Sequence, residues 1–372
     1  MFVFGTRPEA IKLAPVVRVF KEKSTEFEVK VCVTAQHREM LDQVLSFFQI
    51  VPDVDLDLMR PNQTLFDITA SVVLGLKETF KSYSPEIVVV QGDTTTAFIA
   101  GLAAYFIGSQ VVHVEAGLRS YDKRRPFPEE MNRRMLSQIA DIHFCPTEKN
   151  RTNLLAEGIE KDVFVVGNSV IDALLWAVSL VESSEDFYRE SLSCVDLKRR
   201  ILLVTGHRRE SFGKPFEEIC FALKELASSF DDLQIVYPVH LNPNVQEPVR
   251  RILGNAQNVL LTDPLDYRHF VWLLSKCTLV LTDSGGIQEE APALGKPTLV
   301  TREITERGEG VDAGCVRLVG TKTETIVNEV TQLLRSREQY DIMSRAKNPY
   351  GDGNTSSRIL ETLTRIGKER RS

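Results

Sequence analysis

Short apolar runs rich in β-branched residues alternate with amphipathic stretches along the whole chain. Phe2–Phe4, Val29–Val33, Ile87–Val90, Val111–Val114, His143–Cys145 and Val163–Val166 read as strands of one series. After Gly167-Asn168 a second series begins, comprising Ile201–Thr205, Gln234–Tyr237, Val259–Leu261, Leu279–Thr282, Thr298–Val300 and Val316–Val319. Strands alternating with helical patterns predict parallel βαβ units and sheets covered on both faces. Two series predict an α/β protein of two Rossmann-like, doubly wound domains facing a cleft, residues 1–167 and 168–354. A closed eight-stranded barrel fits less well, because the strand count overshoots and the series resets near residue 168. The loop Asn348 to Gly353 precedes a basic amphipathic helix from Ser356 to Lys368, and the segment 355–372 is expected to pack back on the first domain.

Composition narrows the class without choosing a chemistry. The 372 residues are 43% hydrophobic and 26% charged, ordinary for a globular protein. A formal charge of −6 lends no support to nucleic-acid binding. The six cysteines are scattered without a C-x-x-C pair, which suits buried reduced thiols and a cytoplasmic location. The chain opens directly into a strand, without the pattern of a signal peptide. Its longest apolar run, Ala97 to Ile107, is too short to span a bilayer and reads as a buried helix.

Ligands in open α/β sheets sit beyond the carboxyl ends of the strands, so those positions carry the candidate chemistry. In LVLTDSGGIQEEAPALGKP, an apolar strand ends in Ser284, Gly285 and Gly286 and opens a stretch bearing Glu289 and Glu290. Free N–H groups at such a helix start attract an anion, and an acidic residue one turn on can meet ribose hydroxyls. Two readings stay open there: a nucleotide diphosphate cradle, and an ordinary turn with Ser284 as N-cap. Likewise Gly5-Thr6-Arg7-Pro8-Glu9 leads from the first strand into a helix through Ile11, Leu13, Val16 and Val17. Arg7 can meet a diphosphate bidentately or be a solvated arginine in a capped turn.

Three carboxylates stand at or near strand ends. Asp93 follows Ile87–Val90, Glu115 follows Val111–Val114, and Glu129 begins a helix after Pro126-Phe127-Pro128. Converging carboxylates can run acid and base steps on one substrate. Asp93 has the alternative of a helix N-cap, and Glu129 that of complementing a helix dipole. Glu115 is harder to dismiss, because a carboxylate closing an apolar strand costs free energy unless it is paired or functional. In the second series, TGHRRE offers His207 to donate to a departing phosphate, with Arg208 and Arg209 to neutralise charge. His240 stands at another strand end, while His113, His143 and His269 read as structural. A zinc site of His113, His207 and His240 has no supporting ligand spacing. Thr305, Glu306 and Arg307 are placed to meet a nucleotide, or form a charged solvated loop.

FGTRPEAIKLAPVV, VTAQHREMLDQVL, GDTTT, HVEAGLRS, PEEMNRR, TGHRRESFG, YPVHLNPNV, TDSGGIQEEAPALGKP and NPYGDG together resemble the bacterial non-hydrolysing UDP-N-acetylglucosamine 2-epimerases, nearly end to end. The resemblance implies a glycosyltransferase-B-like fold with the active site in the interdomain cleft. It implies reversible inversion at C2 of UDP-GlcNAc to UDP-ManNAc, by elimination of UDP to a 2-acetamidoglucal and re-addition. Carried over by position, it makes Asp93, Glu115 and Glu129 acid/base groups and His207 the aid to UDP departure. Arg7, Ser284, Gly285, Gly286, Glu290 and Arg307 become UDP ligands, with Lys12 close by. Gln36, Gln43, Arg208 and His240 resemble a second site at which some members bind UDP-GlcNAc as activator. The family uses neither metal nor nicotinamide, and its members are commonly homodimers. Two departures stand out: Gly308 replaces the usual proline, and the amino terminus is a few residues short. The latter implies an incomplete first strand or a start codon assigned late. Competing readings are a hydrolysing relative that releases ManNAc and UDP, a glycosyltransferase on the same fold, and a non-catalytic UDP-sugar sensor.

Overall fold

In a computed structural model that describes residues 1–34, 38–60 and 62–371 (side chains to residue 369), the chain divides into two compact units. One comprises Met1–Ala173 with Tyr350–Ser372, the other Leu174–Pro349.

The first unit holds a seven-stranded sheet built from β1 (Phe2–Phe4), β2 (Val31–Val33), β3 (Val54–Asp55), β4 (Ile87–Gln91), β5 (Gln110–Val114), β6 (Ile142–Cys145) and β7 (Val163–Val165). All neighbours are parallel, in the order β3-β2-β1-β4-β5-β6-β7. The central strands are buried on both faces, hence continuous runs such as Val88-Val89-Val90 instead of alternation. On one face, Val72, Leu76 and Phe80 of the helix Leu65–Tyr83 join Ala97, Ala100 and Ala104 of the helix Thr95–Phe106 over Val88 and Val90. The small alanines let that second helix lie close to the sheet.

The second unit holds β8 (Arg200–Thr205), β9 (Leu233–Pro238), β10 (Val259–Thr262), β11 (Leu279–Thr282), β12 (Thr298–Val300) and β13 (Val316–Leu318), all parallel. Their order is β10-β9-β8-β11-β12-β13, the doubly wound pattern again. Leu202, Val204, Leu279 and Leu281 form its core with Phe216, Leu223 and Val330 from covering helices.

The last helix, Thr355–Arg371, packs on the helix Arg7–Lys21 of the first unit. Ile359, Leu363 and Ile366 supply its buried stripe at helical spacing. Asp172 caps it from a distance of 183 residues in sequence, its carboxylate accepting from Thr355 N at 3.2 Å and Ser356 N at 2.7 Å.

Some details differ from the sequence reading. The strand expected from Val29 starts at Val31, and β3 was not expected at all. β3 is a two-residue edge strand within VPDVDLDL, too short and too acidic to stand out as an apolar run. The run Ala97 to Ile107 is buried only through Ala104 apart from partly buried Phe98 and Leu102, and Tyr105, Phe106 and Ile107 at its end are exposed. Cys194 is exposed, whereas the other five cysteines are buried free thiols. Among the described residues, no helix is long and apolar enough to cross a membrane.

His113 and His143 are directly paired across β5 and β6, and both are buried. The Nε2–H of His113 donates to Gly92 O at 2.8 Å. Burial, then the neighbouring His143, push His113 down to about 3. Burial likewise pushes His143 down to about 4. The folded chain therefore binds fewer protons at these sites than the unfolded chain, whose histidines titrate near 6.5. Their share of stability is complete above that value and is lost as pH falls through about 4 for His143 and about 3 for His113. Proton NMR of the folded protein should show neither imidazole titrating between pH 8 and about 5. Two normal titrations near 6.5 would contradict their neutral burial.

Candidate functional site

Each sheet reverses its winding between two adjacent strands, β1 and β4 in the first unit and β8 and β11 in the second. Crevices for ligands open at the carboxyl ends of strands at such switch points. The polar, glycine-rich segments of the sequence fall there in both units.

In the first unit, Gly5 leaves β1 so close to its neighbours that a Cβ would run into the hydroxyls of Thr34 and Thr96. Those two hydroxyls are hydrogen-bonded to each other at 3.1 Å. Glu9, 1% exposed, closes the turn. Its Oε2 accepts from Gly5 N at 3.0 Å and Thr6 N at 2.8 Å. Its Oε1 accepts from the Thr94 hydroxyl at 2.6 Å, so one carboxylate ties the loop after β1 to the loop after β4. Burial raises the Glu9 carboxyl above its ordinary range, against the opposing pull of these hydrogen bonds. Arg7 is half-buried at this turn, and its guanidinium has no ion-pair partner among the described residues.

Asp93 is not an N-cap. Thr94 takes that role, accepting from Ala97 N at 3.0 Å. Asp93 instead receives Arg133 Nε at 2.8 Å, while Asn132 donates to its carbonyl at 2.9 Å. Arg133 also reaches the fully buried Glu130 at 3.0 Å, which accepts Ser120 N and Tyr121 N. Glu115 has φ +65°, a strained conformation for a residue with a Cβ. Lys12 Nζ lies 2.6 Å from both of its carboxylate oxygens. Gln91 Nε2 donates to Oε2, and Asn168 Nδ2 to Oε1 at 3.1 Å. Lys12, which the resemblance puts close to UDP, contacts the Glu115 carboxylate in this structure. Asp93 and Glu115 follow the ends of the adjacent strands β4 and β5, whose last residues Gln91 and Val114 are paired. Glu129 begins the helix Glu129–Ile139, and its Oε2 is buried without a hydrogen-bond partner.

In the second unit, His207 and Arg208 follow β8, and Asp283, Ser284, Gly285 and Gly286 follow β11. Asp283 Oδ2 accepts the backbone N–H of His207 at 2.7 Å and of Arg208 at 2.8 Å. The His207 ring stacks on His240, centroids 5.2 Å apart and planes 14° from parallel. Ser284 holds the N-cap position of the helix Gly285–Ala293, yet its hydroxyl makes no cap bond, leaving it and the first N–H groups to an incoming acceptor. Arg307 lies against Gly285, where a Cβ would meet its guanidinium carbon at 3.0 Å. Its Nε donates to Glu289 at 2.9 Å. Buried Arg302 braces the same loop through Glu210 at 2.7 Å and Glu306 at 3.0 Å. Burial alone would push Glu306 up, but hydrogen bonding and charge from Arg302 bring it down to about 2. Glu306, partly exposed, is paired with Arg302 in this structure. Glu290 is half-buried on the first turns of the helix, its Oε1 3.6 Å from where a Cβ on Gly286 would stand.

Of the four residues compared with an activator site, Arg208 and His240 gather around His207, Arg208 Nε donating to Asp283 O at 3.1 Å. Gln43 is exposed on the helix Arg38–Phe47 of the first unit, and Gln36 lies outside the described residues. Gly308 is the first residue of the helix Gly308–Asp312, the position at which a proline is at home. Among the described residues, no group of three or more His, Cys, Asp or Glu side chains is arranged to hold a metal ion.

Sequence reasoning missed Glu9, Gln91, Arg133, Asn168 and Asp283. Each sits inside or directly beside a segment already singled out, so position was a usable signal. Its partner was not, because every one of them bonds to a residue distant in sequence or to a backbone N–H.

Fold and loops together define a two-domain, Rossmann-like α/β protein of the glycosyltransferase-B kind. The model of the family UDP-N-acetylglucosamine 2-epimerase matches residues 20–364. UDP-N-acetylglucosamine 2-epimerase of Escherichia coli (strain K12) is 56% identical over 365 residues, 97% of each chain. The crystal structure of UDP-GlcNAc 2-epimerase from Neisseria meningitidis bound to UDP-GlcNAc superposes with a TM-score of 0.89 at 46% identity, covering 98% of this chain and 99% of that one. A putative UDP-N-acetylglucosamine 2-epimerase from Listeria monocytogenes gives 0.90 at 44% identity, covering 99% and 97%. The chain belongs to the UDP-N-acetylglucosamine 2-epimerase family.

Glu9 satisfies two buried backbone donors and one hydroxyl, and their loss should cost on the order of 2–4 kcal/mol. Glu9→Ala should accordingly lower the melting temperature by roughly 5–10 °C, and Glu9→Gln, which keeps an acceptor oxygen, by less. Equal melting temperatures for Glu9→Ala and the parent in calorimetry would show that the latch holds nothing.

Proposed function

We propose that this protein interconverts UDP-GlcNAc and UDP-ManNAc without hydrolysing them, through elimination of UDP and its re-addition. The observation that carries the reading is Glu115: a residue at positive φ at the end of a buried strand, held by Lys12, Gln91 and Asn168, on the strand next to the one that Asp93 follows. Of the described non-glycine residues at positive φ, Glu115 combines that backbone with a carboxylate held by three side chains at a strand end, which supports a functional reading.

The hydrogen at C2 of the sugar is weakly acidic, so its removal needs a positioned base and concerted loss of a stabilised leaving group. Asp93, Glu115 and Glu129 supply the acid and base steps on the two faces of C2. The electron pair of the C2–H bond becomes the C1=C2 bond of a 2-acetamidoglucal as the C1–O bond to UDP breaks. His207 protonates the departing phosphate. Arg7 and Arg307 take its charge, Ser284, Gly285 and Gly286 offer N–H and hydroxyl donors, and Glu290 meets the ribose hydroxyls. Protonation of C2 on the opposite face and return of UDP complete the inversion. No cofactor enters this scheme. Gln36, Gln43, Arg208 and His240 are read as contacts for a second UDP-GlcNAc acting as activator, and the working form as a cytoplasmic homodimer.

Proton NMR of UDP-GlcNAc incubated with the protein in deuterated water tests the reaction. UDP-ManNAc should appear, with deuterium at C2 throughout the sugar-nucleotide pool. Accumulation of free ManNAc and UDP would make the protein a hydrolase, and binding without turnover would make it a transferase or sensor. Asp93→Asn, Glu115→Gln and Glu129→Gln should each lower kcat by about 10²–10⁴ with UDP affinity kept. Near-normal turnover in all three would remove the carboxylates from the chemistry. Arg307→Ala should instead weaken UDP binding by about tenfold or more, as titration calorimetry would read.

A further inference from the structure

We infer that Asp283 is a positioning residue that sets the tautomer and ring plane of His207, a role that rests on His207 being the group that serves departing UDP. The two oxygens of this carboxylate are used differently. Asp283 is 1% exposed. Its Oδ2 takes the consecutive N–H groups of His207 and Arg208, which fixes the turn after β8 from the end of β11. Its Oδ1 is buried with no hydrogen-bond partner and lies 3.5 Å from His207 Nδ1. That distance is longer than a hydrogen bond, and catalytic contacts of this kind commonly tighten when substrate binds.

The remaining neighbours fit an oriented ring. His240, from the loop beyond β9, stacks on the His207 ring. Its own Nδ1 accepts Asn242 N at 3.1 Å, so it is not competing for Asp283. Buried Tyr237 donates its hydroxyl to Gly206 O at 3.0 Å, bracing the residue before His207. Arg208 Nε is bound to the Asp283 carbonyl, not to its carboxylate. His207 is therefore left with one nitrogen facing Asp283 and the other, Nε2, available to a ligand.

This arrangement decides the direction of proton transfer. With Nδ1–H turned to Asp283, the imidazolium gives its Nε2 proton to the phosphate oxygen as the C1–O bond breaks and that oxygen keeps the electron pair. The ring is left neutral with its proton on Nδ1. When the C1–O bond re-forms, Nε2 takes the proton back from the phosphate. A ring in the other tautomer carries its proton on Nε2 and cannot accept the returning one.

Asp283→Asn separates orientation from scaffolding. The two backbone N–H groups still require an oxygen, so the amide oxygen stays with them and the NH₂ group faces Nδ1 as a donor. Nδ1 must then accept, and the neutral ring holds its proton on Nε2. Long-range proton–nitrogen spectra of ¹⁵N-histidine-labelled protein at alkaline pH, assigned with a His207→Gln control, should show Nδ1–H in the parent and Nε2–H in Asp283→Asn. In the same variant kcat should fall at least about tenfold, with KM for UDP-GlcNAc and UDP affinity changed less than about threefold. An Nε2–H tautomer in the parent, an unchanged tautomer in the variant, or a loss confined to UDP affinity would each overturn the assignment. The parent's tautomer is read without turnover, so failure of the epimerase reading would be seen separately, in the sugar products.

Discussion

A buried carboxylate that accepts consecutive backbone N–H groups is the interaction on which both halves of this protein depend. Glu9 does this for Gly5 and Thr6 at the first switch point, and Asp283 for His207 and Arg208 at the second. In each case a loop at a strand end, where the ladder hydrogen bonds stop, would otherwise leave donors unpaired in a dry place. The carboxylate fills that need and ties the loop to the strand beside it: Glu9 reaches Thr94 beyond β4, and Asp283 joins the end of β11 to that of β8. Loops held this way can present side chains at fixed positions without support from a ligand.

What these latches present is strained or incomplete by itself. Glu115 stays at positive φ because Lys12, Gln91 and Asn168 over-determine its carboxylate, each from a different element. Buried Glu129 Oε2 and Asp283 Oδ1 lack hydrogen-bond partners, and the Ser284 hydroxyl caps nothing. Unsatisfied buried groups are rare in folded proteins because each costs about 1–3 kcal/mol.

The fold was largely legible. β11 and β12 coincide with the apolar runs that predicted them, and most other strands lie within a residue or two, because strands buried on both faces must be apolar at every position. β3 escaped because an edge strand needs no such run. The exposed end of the helix Thr95–Phe106 escaped because apolarity states only what a residue tolerates, not whether another element covers it. The candidate site positions were legible as residue types at strand ends, and the family followed from long matched motifs. Their supports were not: nothing about Arg133 in isolation says that it holds Asp93, or that Asn168 and Gln91 share Glu115.

The alternation of apolar runs with helical periods determined the two parallel sheets, and the polar insertions at each run's end marked the candidate loops. Both are local consequences of hydrophobic burial and of backbone geometry. Tertiary structure alone decided which charges are paired and which are left open. Lys12 meets Glu115 across 103 residues and Asp283 meets His207 across 76, distances that no local pattern encodes. Whether a buried carboxylate is a latch, a paired acid or an unpartnered one depends on what the fold brings within hydrogen-bond reach.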